Sequence, residues 1–299
     1  MTIVQTSKRI ALNKILFLTD FSDSSETAVP FATSIARAYG STIYALHVLL
    51  PSAYAHVAPE EAASLLDDEE DRARAEMERV EAQFSGLPNE LTIERGPGVW
   101  PVLAEVLKQR EIDLIIMGTH GRTGIQKLLL GSSAEEIFRR SHAPVLTIGP
   151  AVRSGSHSAG RFRCVLFATD FNAVSAASVS FAVSLAQENQ SRLVLLHAIP
   201  KPKPGKAERD GDLSVAEALH QLQELVPAEA ELWCRPEAMV RHGNPIDQIL
   251  ATANQCGVDL IVLGVRGMGR LAGAATRLDR AIAYQVVVNA PCPVLTVRG

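Results

Sequence analysis

Gly118, Gly121 and Gly131 punctuate the stretch GTHGRTGIQKLLLGSS, residues 118–133, which also carries Arg122, Lys127, Ser132 and Ser133. It follows an apolar run, DLIIM at 113–117, and leads into a helical pattern. Glycine has no Cβ, so Gly118 and Gly121 let the backbone turn sharply and approach a ligand closely. Ser132 followed three residues later by Glu135 has the spacing of a capping box, which predicts a helix N-terminus at that point. Unpaired amides and the helix dipole favour an anion there by about 0.3–1 kcal/mol. Arg122 and Lys127 add positive charge. Together these suit a nucleotide phosphate chain, although glycine-rich turns after strands are common in α/β folds and many hold nothing.

Two named phosphate motifs are excluded. A Walker loop needs G-x4-G-K-[ST], which the spacing from Gly118 does not supply. A dinucleotide pattern, G-x-G-x-x-[GA], occurs from Gly267 to Ala272, but it follows the fourth apolar strand of its half and not the first. It is read as a chance match.

The elements that must position the loop are written twice. NKILFLTDFS from Asn13 returns as RCVLFATDFN from Arg163, placing Asp20 and Asp170 at matching points. YALHV at 44–48 returns as VLLHA at 194–198, with His47 and His197 aligned. DLIIMG at 113–118 returns as DLIVLG at 259–264, and APVLTI at 143–148 as CPVLTV at 292–297. The period is domain-sized, so it predicts two tandem domains, 1–150 and 161–299, joined by a small, polar, glycine-bearing linker at 151–160.

Within the first half, apolar runs predict strands at 15–19, 42–48, 91–94, 113–117 and 145–148. Amphipathic spacing predicts helices ending at Gly40, over 69–84, over 99–110 and over 133–140. Pro30 should restrict the start of the first helix or kink it. Strands alternating with crossover helices imply an α/β class: two doubly wound, five-stranded parallel sheets. Ligands of such sheets lie beyond the carboxyl ends of the strands, at the switch in strand order. Asp20, Val48 and Gly118 all fall at strand ends.

The 299 residues are 47% hydrophobic, enough for two medium cores. The net charge of −4 argues against a nucleic-acid partner. Cys164, Cys234, Cys256 and Cys292 form no CxxC pair, so they predict neither a disulfide framework nor a zinc site, but reduced core thiols. The first residues lack a signal peptide's pattern, and no apolar run is long enough for a bilayer. The expectation is a soluble, cytoplasmic protein without a membrane partner.

Gly118-x2-Gly121-x9-Gly131-Ser132 matches the G-2x-G-9x-G-[ST] signature of ATP-binding universal stress protein domains. With the TDFS start, the strand ending at His47-Val48 and the closing APVLTI, the whole chain resembles a tandem universal stress protein. The resemblance implies an adenine nucleotide alpha hydrolase-like, Rossmann-like fold and an ATP ligand, with the need for Mg²⁺ left open. It implies that Asp20 and Val48 contact the adenosine part, and that Leu18 and Met117 offer backbone and apolar contact to the base. Gly118, Gly121, Gly131, Ser132 and Ser133 then meet the ribose and phosphates. Asp20 also has a plain reading, as a turn residue before the first helix. His47 is read as a satisfied strand histidine outside the site.

The second half departs from the signature. Counting from Gly264 places Gly267, then Arg277 and Leu278 where Gly131 and Ser132 stand. Thr276 and Asp279 resemble a helix cap, so the helix is expected to start there. This half is expected not to bind nucleotide and to be structural or regulatory. The last strands, 145–148 and 294–297, are the edges that family members pair on dimerising, so the two halves are expected to pair within one chain, with a homodimer as a further outcome. The leading function is a nucleotide-binding stress regulator. Two alternatives are a slow ATPase, for which no catalytic constellation is found, and a dimeric interaction or chaperone-like module with an empty loop.

Overall fold

The computed structural model describes residues 10–54, 56–119, 131–152, 162–200, 213–265 and 274–298, the side chains of 53, 173–177, 231 and 274–281 excepted. Two compact units divide the chain: Ala11–Pro150 is one, and Ile10 groups with Ala151–Gly299 in the other. In the first, the described elements run β1 (Lys14–Leu18), α1 (Asp23–Tyr39), β2 (Thr42–Leu49), α2 (Pro59–Gln83), β3 (Asn89–Arg95), α3 (Val99–Arg110), β4 (Leu114–Gly118), α4 (Ser132–Arg140) and β5 (Val145–Ile148). The second repeats the alternation: β6 (Cys164–Ala168), α5 (Ala173–Asn189), β7 (Arg192–Ile199), α6 (Val215–Glu224), β8 (Arg235–His242), α7 (Pro245–Cys256), β9 (Leu260–Val265), α8 (Ala274–Asn289) and β10 (Val294–Arg298).

Strand order within the first unit is β3-β2-β1-β4-β5, all parallel, and within the second β8-β7-β6-β9-β10. The chain leaves β1 toward β2 on one side and returns to β4 on the other, so each sheet has its switch point beside its first strand. A sheet covered on both faces needs strands apolar throughout. Ile15, Leu16 and Phe17 of β1 are fully buried, as are Val165, Leu166 and Phe167 of β6.

The sheets are tied at their opposite end by one carboxylate each. Asp113 Oδ2 accepts the Asn13 and Lys14 amides at 2.8 and 2.9 Å. Asp259 Oδ2 accepts those of Arg163 and Cys164 at 2.8 and 3.0 Å. The duplication therefore extends to individual hydrogen bonds.

Some boundaries differ from the sequence expectation. Helix α2 begins ten residues before 69, because Pro59 suits its first turn and charged side chains support the added length. Arg95 of β3 holds Asp67 at 2.8 Å and Glu70 at 2.7 Å. No residue of α2 before Ala73 is buried, so this part has no apolar stripe to read. Strand β3 is longer than its apolar core at both ends. Pro30 does not set the start of α1, which begins seven residues earlier on Ser22, whose hydroxyl accepts the Ser25 amide. The expected close at Gly40 is found, with φ 68°. Among the described residues no helix is long and apolar enough to cross a membrane.

Candidate functional site

Strand β1 ends in a turn that the sequence cannot make cheaply. Phe21 has φ 60°, a left-handed conformation costing a residue with a Cβ about 1–3 kcal/mol. Three contacts hold it there. The Phe21 amide donates to Thr19 Oγ1 at 3.0 Å. Its ring lies 4.4 Å from the His47 ring, centroid to centroid. His47 Nδ1–H in turn donates to the Thr19 carbonyl at 2.9 Å. The second unit repeats the device: Phe171 has φ 61°, its ring is 4.4 Å from His197, and His197 Nδ1–H donates to the Thr169 carbonyl at 2.8 Å.

The turn fixes Asp20. Its Oδ1 accepts the Ser22 amide at 3.1 Å, the Ser22 hydroxyl at 2.6 Å and the Ser25 hydroxyl at 2.9 Å. Asp20 is thus a turn residue organising the start of α1, and it also lines the cleft above β1.

The loop after β4 is anchored at both described ends. The Thr119 amide donates to the Ile148 carbonyl at 3.1 Å, and the Gly131 amide donates to the Thr119 carbonyl at 2.9 Å. That second bond brings the N-terminus of α4 back over the end of β4. The capping-box expectation is corrected here. The N-cap is Gly131, whose carbonyl accepts the Glu135 amide at 2.8 Å, and Ser132 is already the first helical residue. No side chain caps α4, so neither serine hydroxyl is used for that purpose.

Gly118 also has a packing reason. A Cβ there would sit 2.5 Å from Ser24 Oγ and 2.7 Å from the Ser24 backbone. The space is taken by the first turn of α1, so this glycine serves helix packing. At Gly131 a Cβ would meet the Thr119 carbonyl oxygen at 3.2 Å, a tight contact across the closed loop.

A cleft at the switch point gathers most of the expected residues. Leu18, Asp20 and Val48 line it from β1 and β2, and Met117 and Gly118 from β4. Gly131, Ser132 and Ser133 line it from the start of α4. Gly121, Arg122 and Lys127 lie outside the described residues. Sequence reasoning missed Thr19, Val99, Thr119 and Ile137, which line the same cleft. Ile137 and Val99 carry a recoverable signal, since each is an apolar residue of a helix that begins there. His47 also lines it, although its Nδ1 is committed to the turn.

The second unit has a cleft at the same place, lined by Ala168, Asp170, Ala198, Leu263 and Gly264 among others. Its helix differs in register. Helix α8 begins at Ala274, ten residues after Gly264, whereas α4 begins fourteen after Gly118. The start expected at Thr276 is therefore too late, and Thr276, Arg277 and Leu278 all lie within α8. Ile282 and Ala283 face this cleft. They stand 149 residues after Ser133 and Ala134, the offset that also relates Val294 of β10 to Val145 of β5. What is a helix N-terminus in the first cleft is helix interior in the second.

The sequence pattern of the universal stress protein family matches residues 11–149 and again 161–298. A universal stress protein of Mycolicibacterium smegmatis is 27% identical over 299 residues, covering 95% of this chain and 96% of that protein. One from Methanocaldococcus jannaschii is 30% identical over 139 residues, covering 45% of this chain and 81% of the relative. The crystal structure of a universal stress protein from Archaeoglobus fulgidus shares the fold, with a TM-score of 0.72 at 20% identity over 97% of this chain and 99% of that one.

Proposed function

This chain belongs to the universal stress protein family, and we propose that its first unit binds an adenine nucleotide, ATP, whose occupancy regulates what the protein presents to partners in a stress response. The observation that carries this reading is the Gly131 amide on the Thr119 carbonyl, at 2.9 Å, which sets the uncapped end of α4 over the carboxyl ends of β1 and β4. First-turn amides of α4, with the hydroxyls of Ser132 and Ser133, suit an anion such as a phosphate chain. Asp20 at the other side of the cleft is an acceptor-only group suited to ribose hydroxyls. Leu18, Val48 and Met117 offer apolar surface to a base. Gly121, Arg122 and Lys127 complete the proposed set from the loop that α4 closes.

Titration calorimetry of the full chain with ATP, with and without Mg²⁺, tests this. One saturable site is expected in the wild type. Gly131→Arg places a side chain against the Thr119 carbonyl and in front of the α4 amides, so it should lower affinity by about a hundredfold or more, since each 1.4 kcal/mol of lost contact is tenfold. Unchanged affinity in a folded Gly131→Arg protein would remove the phosphate cradle from the reading.

A further inference from the structure

We infer that the second unit carries a dimerisation surface over β7 and β8, where Leu232 of each chain enters an apolar pocket of a second copy. This surface is separate from the last strands, β5 and β10, and from both clefts.

The duplication shows where the pocket comes from. Residues paired across neighbouring parallel strands point to the same face of the sheet. In the first unit Phe17, Ala45 and Leu91 form one such row across β1, β2 and β3. Phe84, just past the end of α2, packs edge-on against Phe17, with ring centroids 5.5 Å apart. The matching row in the second unit is Phe167, Leu195 and Ala238. Its outer member lacks the bulk of Leu91. Helix α6 is also short, Val215–Glu224 against Pro59–Gln83 for α2. A pocket of about 220 Å³ opens over Leu195 and Ala238. Val226, Pro227 and Pro236 make apolar walls, and Gln223 and Ala228 stand exposed at its mouth.

A knob stands beside this hole. Ala228–Leu232 form a short 3₁₀ helix, and its last residue, Leu232, is 84% exposed. A single exposed leucine needs no explanation by itself. This one lies in the chain between two pocket residues, Ala228 and Pro236, and about 8 Å along the 3₁₀ helix from Ala228. A knob and a hole far apart on one molecule build open chains. Side by side, they are exchanged by a two-fold axis running between them, and the assembly closes at two.

The flanking charges select a second copy of this chain over another apolar occupant. Glu229 precedes Leu232 by three residues and Arg235 follows it by three. Both are exposed, and neither has an ion-pair partner among the described residues. A two-fold axis reverses the order of facing residues, so Glu229 of each chain meets Arg235 of the other, and both pairs form together.

The test is sedimentation velocity of the full chain across a concentration series, with thermal melts to check folding. Wild type is expected as a reversible dimer and nothing larger. Leu232→Asp brings a carboxylate to a pocket without a partner for it, and should weaken the dimer about a hundredfold or more. Ala238→Leu fills the hole with the first unit's own residue, leaves Leu232 in place, and should weaken the dimer similarly. Glu229→Arg should weaken it about tenfold, and adding Arg235→Glu should restore it. A chain monomeric at every concentration overturns the inference and leaves the pocket to another apolar occupant. Assembly past two, a dimer unmoved by Leu232→Asp and Ala238→Leu in folded protein, or no rescue by the charge exchange would each overturn it as well. If Ala238→Leu does not fold, Leu232→Asp at the exposed position and the charge exchange decide.

Discussion

Phe21 and Phe171 hold a backbone conformation that a phenylalanine adopts only when its surroundings impose it. In both units the imposing contact is a histidine, fixed by one hydrogen bond from its Nδ1–H to the carbonyl of the threonine two residues before the phenylalanine. Removing that ring should release the turn and orphan a buried carbonyl. His47→Ala is therefore expected to destabilise the first unit by about 2–4 kcal/mol, read as a lower urea midpoint. His197→Ala should cost less, because His47 is 6% exposed and His197 is only half-buried. Equal losses would mean that burial does not set the cost. The thiols give a second prediction at this scale. Burial pushes Cys164 and Cys234 up to about 11, and raises Cys292 further, with the Asp259 charge contributing there. A raised pKa means less thiolate at a given pH, and the thiolate is the reactive form. At pH 8 an alkylating reagent should modify the half-buried Cys256 in native protein, and the other three only after unfolding, as peptide mass spectrometry would show.

Helix α1 and strand β4 meet at Gly118 with no room for a methyl group. Because the nearest atoms include the Ser24 backbone, trimming the Ser24 side chain cannot make space. Gly118→Ala should destabilise the first unit by about 1–3 kcal/mol, the usual cost of overpacking, and Ser24→Ala should not rescue it. A thermal melt of the single and double variants checks this, and a wild-type-like Gly118→Ala would show that α1 yields easily. The same contact places the start of α1, and hence Ser22 and Ser25, around Asp20. Gly118 lines the cleft and also acts on it through helix packing. The α4 end is the complementary case: Gly131 is held by a backbone bond to Thr119, and the helix start follows from that closure and not from a serine cap.

At the scale of the whole molecule, two copies of one architecture carry two different clefts. One ends in an uncapped helix N-terminus and the other in a helix interior. The expected ATP stoichiometry is accordingly one per chain, measured by calorimetry or equilibrium dialysis on the full chain. A fitted value of two would show that the α8 wall does not exclude phosphate.

How much of this was legible follows from the physics of each signal. Apolar runs, helical spacing and the repeated TDF, LH and PVLT segments determined the α/β class, the five parallel strands described in each unit and the tandem duplication, because these depend on residue periodicity along the chain. The residues gathered at the first switch point were largely legible too, since strand ends are marked by the change from apolar to glycine or acidic residues. The N-terminal turns of α2 were not, because charge pairs across space hold them and leave no apolar stripe. The packing of Gly118 and the true start of α4 were decided only in three dimensions, by Ser24 and by the Thr119 carbonyl. The register of α8 was hidden for the same reason. Counting forward from Gly264 points to Arg277, but the helix is positioned by packing onto the sheet that ends in β10, and that packing brings Ile282 to the place where the first unit has Ser133.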